Sequence, residues 1–424
     1  MNAAKLRRVQ ALALRIMTGA MPSTPFVALN HITNTTDIIP YLQGEAAKSN
    51  ERLRAYGNLT RERPENTKGT IKAHVTINND FIKDLNIPHN SERDLTVPSL
   101  NLQRNFNTTT PGDNPDIYRN QLQHIINETP DDWITCYTDG SKTEEGCGAG
   151  YTITTNNNNT IIHEDSLNLP NFCTVYQAEL TAITYACRQL TNYTDKNIII
   201  WTDSLSSIHS LTTLITKNRT VNNCLDILNQ IGARNTLELR WIAAHSGLWG
   251  NERADELAKF GTTSTTTIAR PIPQSHINKL INDKVDKLNT DIVTKDCPKH
   301  TKMILGRNHN KIINNLNRSL ITNRKDYRTA TQLITGHCGL NKHLHNMNKT
   351  TTKECPLCGH HEETVNHFLG QCPALAQTRG QYFNDYYLSA NDIFDNIHIT
   401  TIINYVNKTR RLMDPEDLDN TGVT

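Results

Sequence analysis

The chain lacks any long apolar run. No window approaches about 18 apolar residues, which argues against a membrane-spanning helix. It also lacks an excess of charge of either sign. Forty-four Lys and Arg stand against 42 Asp and Glu in 424 residues, a net charge of +2, which excludes a histone-like or polyanion-coating protein. A local nucleic-acid groove needs only a few clustered cations and stays open. Ten cysteines in 424 residues make no small-domain disulfide framework. No internal repeat is visible. The apolar run Val9–Leu14, after Lys5, Arg7 and Arg8, is too short and interrupted for a secretion signal. It reads better as an amphipathic helix than as a mitochondrial leader.

What is present is a polar, Asn- and Thr-rich chain, 36% hydrophobic, long enough for two or three domains with their own cores. Several Asn-x-Thr triplets follow from this composition and are not evidence of glycosylation. Residues 1–60 read as a helical segment, with Leu6, Val9, Ala13 and Ile16 at helical spacing. Residues 61–130 are punctuated by Pro64, Pro88, Pro98, Pro111, Pro115 and Pro130 and read as a linker with short ordered pieces. From 131 to 262 the pattern tightens to the order βββαβααβα. Its strands are Trp133–Thr138, Tyr151–Ile153, Thr160–His163, Asn197–Trp201 and Leu237–Ile242. Its helices cover about 175–190, a segment from Ser204, 221–231 and Asn251–Phe260. Residues 276–380 read as a helical module carrying a cysteine cluster, and 381–424 as a C-terminal helix with a disordered acidic tail from Asp414.

Four acids stand beside apolar elements of the 131–262 segment: Asp139 and Asp203 at the ends of expected strands, Glu179 in the first helix, and Asp255 one turn after Asn251. Singly, a strand-end Asp starts a turn or caps a helix. As a set they form one cluster of like charges, tolerable when divalent cations lie between them, and Mg²⁺ suits such hard oxygen ligands. Two such ions can promote phosphodiester cleavage.

The stretches Tyr137-Thr138-Asp139-Gly140-Ser141, Gln177-Ala178-Glu179-Leu180, Thr202-Asp203-Ser204 and His245 to Asp255 resemble the type 1 ribonuclease H family in order and in residue type. The resemblance covers 131–262. It implies a ribonuclease H-like mixed five-stranded sheet with flanking helices. It also implies that Asp139, Glu179, Asp203 and Asp255 hold two Mg²⁺ ions, with Mn²⁺ as a substitute, and hydrolyse the RNA strand of an RNA–DNA hybrid. His245 matches a mobile histidine that aids product release or proton transfer, and Ser204 and Asn251 match substrate-contacting or ligand-supporting positions. Two departures stand out. Ala243-Ala244 precede His245 where relatives often carry other pairs, and no basic insertion separates the central helices. Lys and Arg in 299–328 and at 408–411 are then candidate phosphate contacts.

Cys355, Cys358, His367 and Cys372 are spaced C-x2-C-x8-H-x4-C. Three thiolates and one imidazole suit a structural zinc ion, with Gly359 turning the chain after the first pair. His337, Cys338, His343 and His345 lie just upstream and leave an alternative ligand open. Thr335-Gly336-His337, Leu340–Leu344, Glu362-Glu363-Thr364 and His367–Pro373 resemble the zinc-binding segment of non-LTR retrotransposon polyproteins. Leu12–Leu29 resembles the connector after the polymerase in jockey-like lineages. No paired-aspartate polymerase turn or apurinic-type endonuclease is recognisable, so the expectation is the C-terminal part of such a polyprotein, as a truncated copy or a separate gene. The resemblance implies a hybrid-specific endoribonuclease with RNA and RNA–DNA hybrid as partners, together with a reverse transcriptase of the parent element. The alternatives are a nucleic-acid-binding remnant without turnover and a purely structural protein. Nothing in the sequence decides between nucleus and cytoplasm.

Overall fold

The computed structural model describes residues 3–55, 78–85, 87, 99–100, 104–110, 129–130, 132–155, 160–244, 247–320 and 323–412. Two compact units emerge: Ala46–Ile281, and Met1–Glu45 together with Asn282–Thr424. Among the described residues no helix is long and apolar enough to cross a membrane. Three helices open the chain: α1 (Ala3–Thr18), α2 (Phe26–Thr33) and α3 (Ile38–Ala55).

The Ala46–Ile281 unit is built on one mixed sheet of β1 (Asn107–Thr109), β2 (Ile134–Lys142), β3 (Cys147–Thr155), β4 (Thr160–Leu169), β5 (Asn197–Thr202) and β6 (Thr236–Trp241). The spatial order is β1-β6-β5-β2-β3-β4. Strands β1, β6, β5 and β2 pair in parallel, and β2-β3-β4 is an antiparallel meander. The five expected strands are contiguous in this sheet. The sixth, β1, comes from the expected linker and pairs three residues with β6. A second short piece of that linker, Ser99–Leu100, pairs with Ile215–Thr216.

The local causes are plain. β5 reads Asn-Ile-Ile-Ile-Trp-Thr, and all but its first residue are buried, as a strand central to the sheet requires. Helices α4 (Val175–Gln189), α5 (Leu205–Thr212), α6 (Arg219–Gly232) and α7 (Trp249–Gly261) follow their strands in turn. α4 starts with a capping box: the Thr174 hydroxyl accepts from the Gln177 amide, and the Gln177 side chain accepts from the Thr174 amide. α6 buries Val221, Cys224, Leu225, Leu228 and Ile231, a helical stripe that packs toward α4.

β3 begins before the expected Tyr151–Ile153 and takes in the glycines at 148 and 150. A Cβ at either would come inside 3.0 Å of the α7 backbone at Ala254 or Ala258. The bare strand face is what lets α7 lie so close to the sheet.

The other unit includes residues 282–296 of α8 (Gln274–Asp296), then α9 (Lys299–Leu305), α10 (His309–Leu320), α11 (Arg324–Thr335), α12 (Asn341–Asn346), α13 (Ala376–Phe383), α14 (Ala390–Asn396) and α15 (Ile399–Thr409). Ile32, Leu305, Leu316, Leu333, Phe368, Ile402 and Tyr405 belong to one buried core. The expected C-terminal amphipathic helix is α15, which buries Ile399, Ile402, Ile403, Tyr405 and Val406. Met413 and the tail from Asp414 lie outside the described residues.

Candidate active site and metal centre

β2 and β5 run side by side in parallel with Thr138 opposite Thr202. One residue on, Asp139 and Asp203 therefore stand at the same level. The Thr138 hydroxyl donates to the Trp201 carbonyl at 3.1 Å, and the Trp241 indole donates to the Asp203 carbonyl at 3.0 Å. Both bonds fix the mouth between the strands. Asp139 is not the end of its strand. Pairing with β5 stops at Thr138, but β2 continues to Lys142 on its antiparallel side, with Asp139 opposite Gly150.

Alternation then sorts the faces. Gly150, the partner of Asp139, has its Cβ direction toward α7, whereas a Cβ on Gly140 would press on Ala178 and the Glu179 amide of α4 inside 3.0 Å. Gly140 is the close-approach point that lets α4 bring Glu179 to Asp139. One oxygen each from Asp139, Glu179 and Asp203 lies within 4.8 Å of the others.

These carboxylates are crowded and poorly hydrated. Asp139 is 9% exposed and Glu179 5%. Burial, then the charges of Asp203 and Asp255, push the Asp139 carboxyl up to about 7, against a backbone hydrogen bond at Gly140. Burial, then Asp139 and Asp203, hold Glu179 well above the usual carboxylate range. Glu179 Oε2 is buried without a hydrogen-bond partner. Three hard oxygen donors, mutual repulsion and an unsatisfied buried oxygen are what a divalent cation neutralises, so the triad fits Mg²⁺.

The other expected residues fare differently. Asp255, on α7, is near enough to Asp139 to raise its carboxyl but stands outside the three-acid cluster. Its Oδ2 accepts from Lys259 at 2.6 Å, one turn along the helix. Asn251 is buried in the first turn of α7. Ser204 is the N-cap of α5 and accepts from the Ser207 amide at 3.3 Å, so part of its hydroxyl capacity goes to that helix. His245 lies outside the described residues. Two features went unread in the sequence: the Thr174–Gln177 capping box that aims α4, signalled by the Thr-x-x-Gln spacing, and Lys259 at i+4 from Asp255.

Residues 131–263 match the family model described as RNase H. They form an RNase H-like domain. The mixed sheet with its flanking helices is the RNase H fold. Among solved structures, RNase H1 from the halophilic archaeon Halobacterium salinarum NRC-1 is 19% identical, over 30% of this chain and 96% of that one, with a TM-score of 0.26. No curated protein matches the chain.

In the helical unit, Cys355, Cys358, His367 and Cys372 present ligand atoms all within 4.8 Å of one another. Gly359, at φ 74°, turns the chain, and its amide donates to the Cys355 carbonyl at 2.8 Å. His367–Gln371 forms one π-helical turn, closed by the Cys372 amide on the His367 carbonyl at 2.7 Å. The Cys355 and Cys372 sulfurs are 3.9 Å apart, and Cys358 Sγ is 3.3 Å from His367 Nε2. A tetrahedron with Zn–S bonds of about 2.3 Å has edges of about 3.8 Å, so the set fits zinc. Burial pushes the Cys372 thiol up to about 12 and raises Cys355, so a cation is needed to hold them as thiolates.

The upstream histidines are not part of this cluster. His337 Nδ1 and His343 Nε2 each lie 3.1 Å from the Ser23 hydroxyl, and Cys338 is buried in the core. All ten cysteines are free. Several of the basic residues expected to meet phosphates have internal partners. Arg324 donates to the Ile16 carbonyl and Lys311 to the Asp395 backbone carbonyl. Arg411 donates two hydrogen bonds to the carboxylate of the fully buried Glu363, from Nε at 2.8 Å and from Nη2 at 2.6 Å.

Proposed function

We propose that the chain is an endoribonuclease that hydrolyses the RNA strand of RNA–DNA hybrids. The observation that carries this reading is the meeting of Asp139, Glu179 and Asp203 within an RNase H match. In this reading Asp139, Glu179, Asp203 and Asp255 hold two Mg²⁺ ions, or Mn²⁺ in their place. When bound, the ions supply an activated water and stabilise the leaving oxygen. The chain's own part is to fix four carboxylates by strand register and helix docking before substrate arrives. Lys259 pairs with Asp255, His245 assists proton transfer or product release, and Ser204 and Asn251 contact the substrate or support the ligands. Cys355, Cys358, His367 and Cys372 hold one structural zinc. The resemblance of 335–373 and 12–29 supports an origin in a jockey-like non-LTR retrotransposon polyprotein, with a reverse transcriptase of that element as partner and the nucleus or cytoplasm as setting.

The test is Mg²⁺-dependent cleavage of a labelled RNA–DNA hybrid, with single-stranded RNA and duplex DNA as controls. Cleavage confined to the RNA strand of the hybrid is expected. A folded, zinc-loaded chain that binds hybrid and cuts none would replace this reading by that of a nucleic-acid-binding remnant.

A further inference from the structure

Arg379, on α13, is 1% exposed. Its Nη2 donates to the Cys372 carbonyl at 2.9 Å and to the Tyr386 carbonyl at 2.8 Å, and its Nε donates to Tyr386 at 3.0 Å. Nη1 is buried with no partner. No carboxylate among the described residues pairs with this guanidinium. Glu363, buried in the same unit, is already taken by Arg411 and by the Asn341 amide. Carbonyl dipoles and the neighbouring Tyr405 hydroxyl are uncharged and leave a buried, permanently charged group uncompensated, which proteins rarely tolerate.

The compensation is available next door. Three thiolates and one neutral imidazole around Zn²⁺ carry one net negative charge. We propose that Arg379 is the counter-cation of the Cys355–Cys358–His367–Cys372 centre: a positioning residue that stabilises its thiolates and sets its metal affinity. This rests on the zinc reading. It accounts for a full-length cation in a core position that an apolar side chain of similar volume would fill without cost. It also links the metal to the Asn384–Leu388 turn. Arg379 grips that turn at the Tyr386 carbonyl, and the Leu388 amide donates to the Gly370 carbonyl at 3.0 Å inside the ligand segment.

The experiment compares the full chain with Arg379→Gln, which keeps a donor for the carbonyls but no charge, and Arg379→Lys, which keeps the charge but not the planar fork. Zn²⁺ affinity is read by competition with a chromophoric chelator. Co²⁺ substitution shows by its thiolate charge-transfer band that the same centre is loaded. Expected is a loss of about 10–100-fold in affinity for Arg379→Gln, the usual scale for groups supporting metal ligands, and a smaller loss for Arg379→Lys. Wild-type affinity in Arg379→Gln, or a loss in Arg379→Lys as large as in Arg379→Gln, overturns the proposal, because hydrogen bonding rather than charge would then be the contribution. Should Arg379→Gln not fold, the Lys variant decides alone: affinity near wild type supports the charge role and a drop of about 10–100-fold refutes it. Absence of the thiolate band in the wild-type chain would remove the zinc reading itself, a failure separate from that of Arg379.

Discussion

Replacing Asp139 by Asn tests the crowding of the acidic site without relying on turnover. Asp139 is 9% exposed, and burial followed by Asp203 and Asp255 raises its carboxyl from 3.8 to about 7. The folded value lies above the unfolded one, so the ionised group opposes folding. The penalty is absent below about pH 4, grows as pH rises, and is complete above about pH 7. At about 1.36 kcal/mol per unit, the ceiling is about 4 kcal/mol. Asparagine has nearly the same size and no charge, but its amide also loses hydration on burial, which lowers the gain. In chelator at pH 8, Asp139→Asn should therefore be more stable than the wild type by about 1–3 kcal/mol, and the difference should vanish near pH 4. The assay is urea unfolding followed by tryptophan fluorescence. Trp133, Trp201, Trp241 and Trp249 all lie in the Ala46–Ile281 unit, so the signal reports that unit alone. With Mg²⁺ the gap should narrow or invert, because binding stabilises only the wild type fully. Hybrid cleavage should be lost while hybrid binding stays nearly intact. A variant less stable than wild type in chelator at pH 8, or a gap independent of pH, would refute the argument.

Other perturbations address separate parts. His245→Ala should slow hybrid cleavage by up to about 10²–10⁴-fold yet keep its Mg²⁺ requirement, and unchanged rates would remove His245 from the site. Gly140→Ala places a methyl against the Ala178–Glu179 backbone and should cost about 1–3 kcal/mol and most of the activity; a stable, fully active variant would show that α4 does not need that approach. Cys358→Ser should lower zinc content from one ion per chain and reduce helicity on par with chelation, and unchanged metal content would void the ligand assignment. Arg411→Ala leaves Glu363 buried and unpaired and should destabilise the helical unit by about 3–5 kcal/mol. A loss of hybrid binding without loss of stability would instead restore Arg411 as a phosphate contact.

Much of the fold was legible because its signals are local. Helical spacing marks α4 and α6 and a continuous apolar run marks β5, since period and burial are properties of neighbouring residues. Close spacing likewise exposed the cysteine cluster, whose four members lie within 18 residues of chain, Cys355 to Cys372. The acids were legible as residue types beside apolar elements, but their meeting was not a property of any short stretch. It depends on register between β2 and β5 and on Gly140 admitting α4, two contacts made over long separations.

What the tertiary structure alone decided follows the same division. Asn107–Thr109 has no strand signature of its own and becomes β1 only because the free edge of β6 offers unpaired backbone groups. Arg411 and Arg379 look like any surface cations in the sequence. Arg411 is half-buried against Glu363, 48 residues away, and Arg379 is fully buried on the carbonyls of Cys372 and Tyr386, each seven residues off; both placements arise only when the core of the helical unit closes. Most of the elements, though not β1, and the side chains with metal-binding chemistry could be read from the residues alone, because both rest on local pattern and residue type. Which charges end up paired, crowded or buried was decided by the fold, because electrostatic cost depends on distance and dielectric in three dimensions.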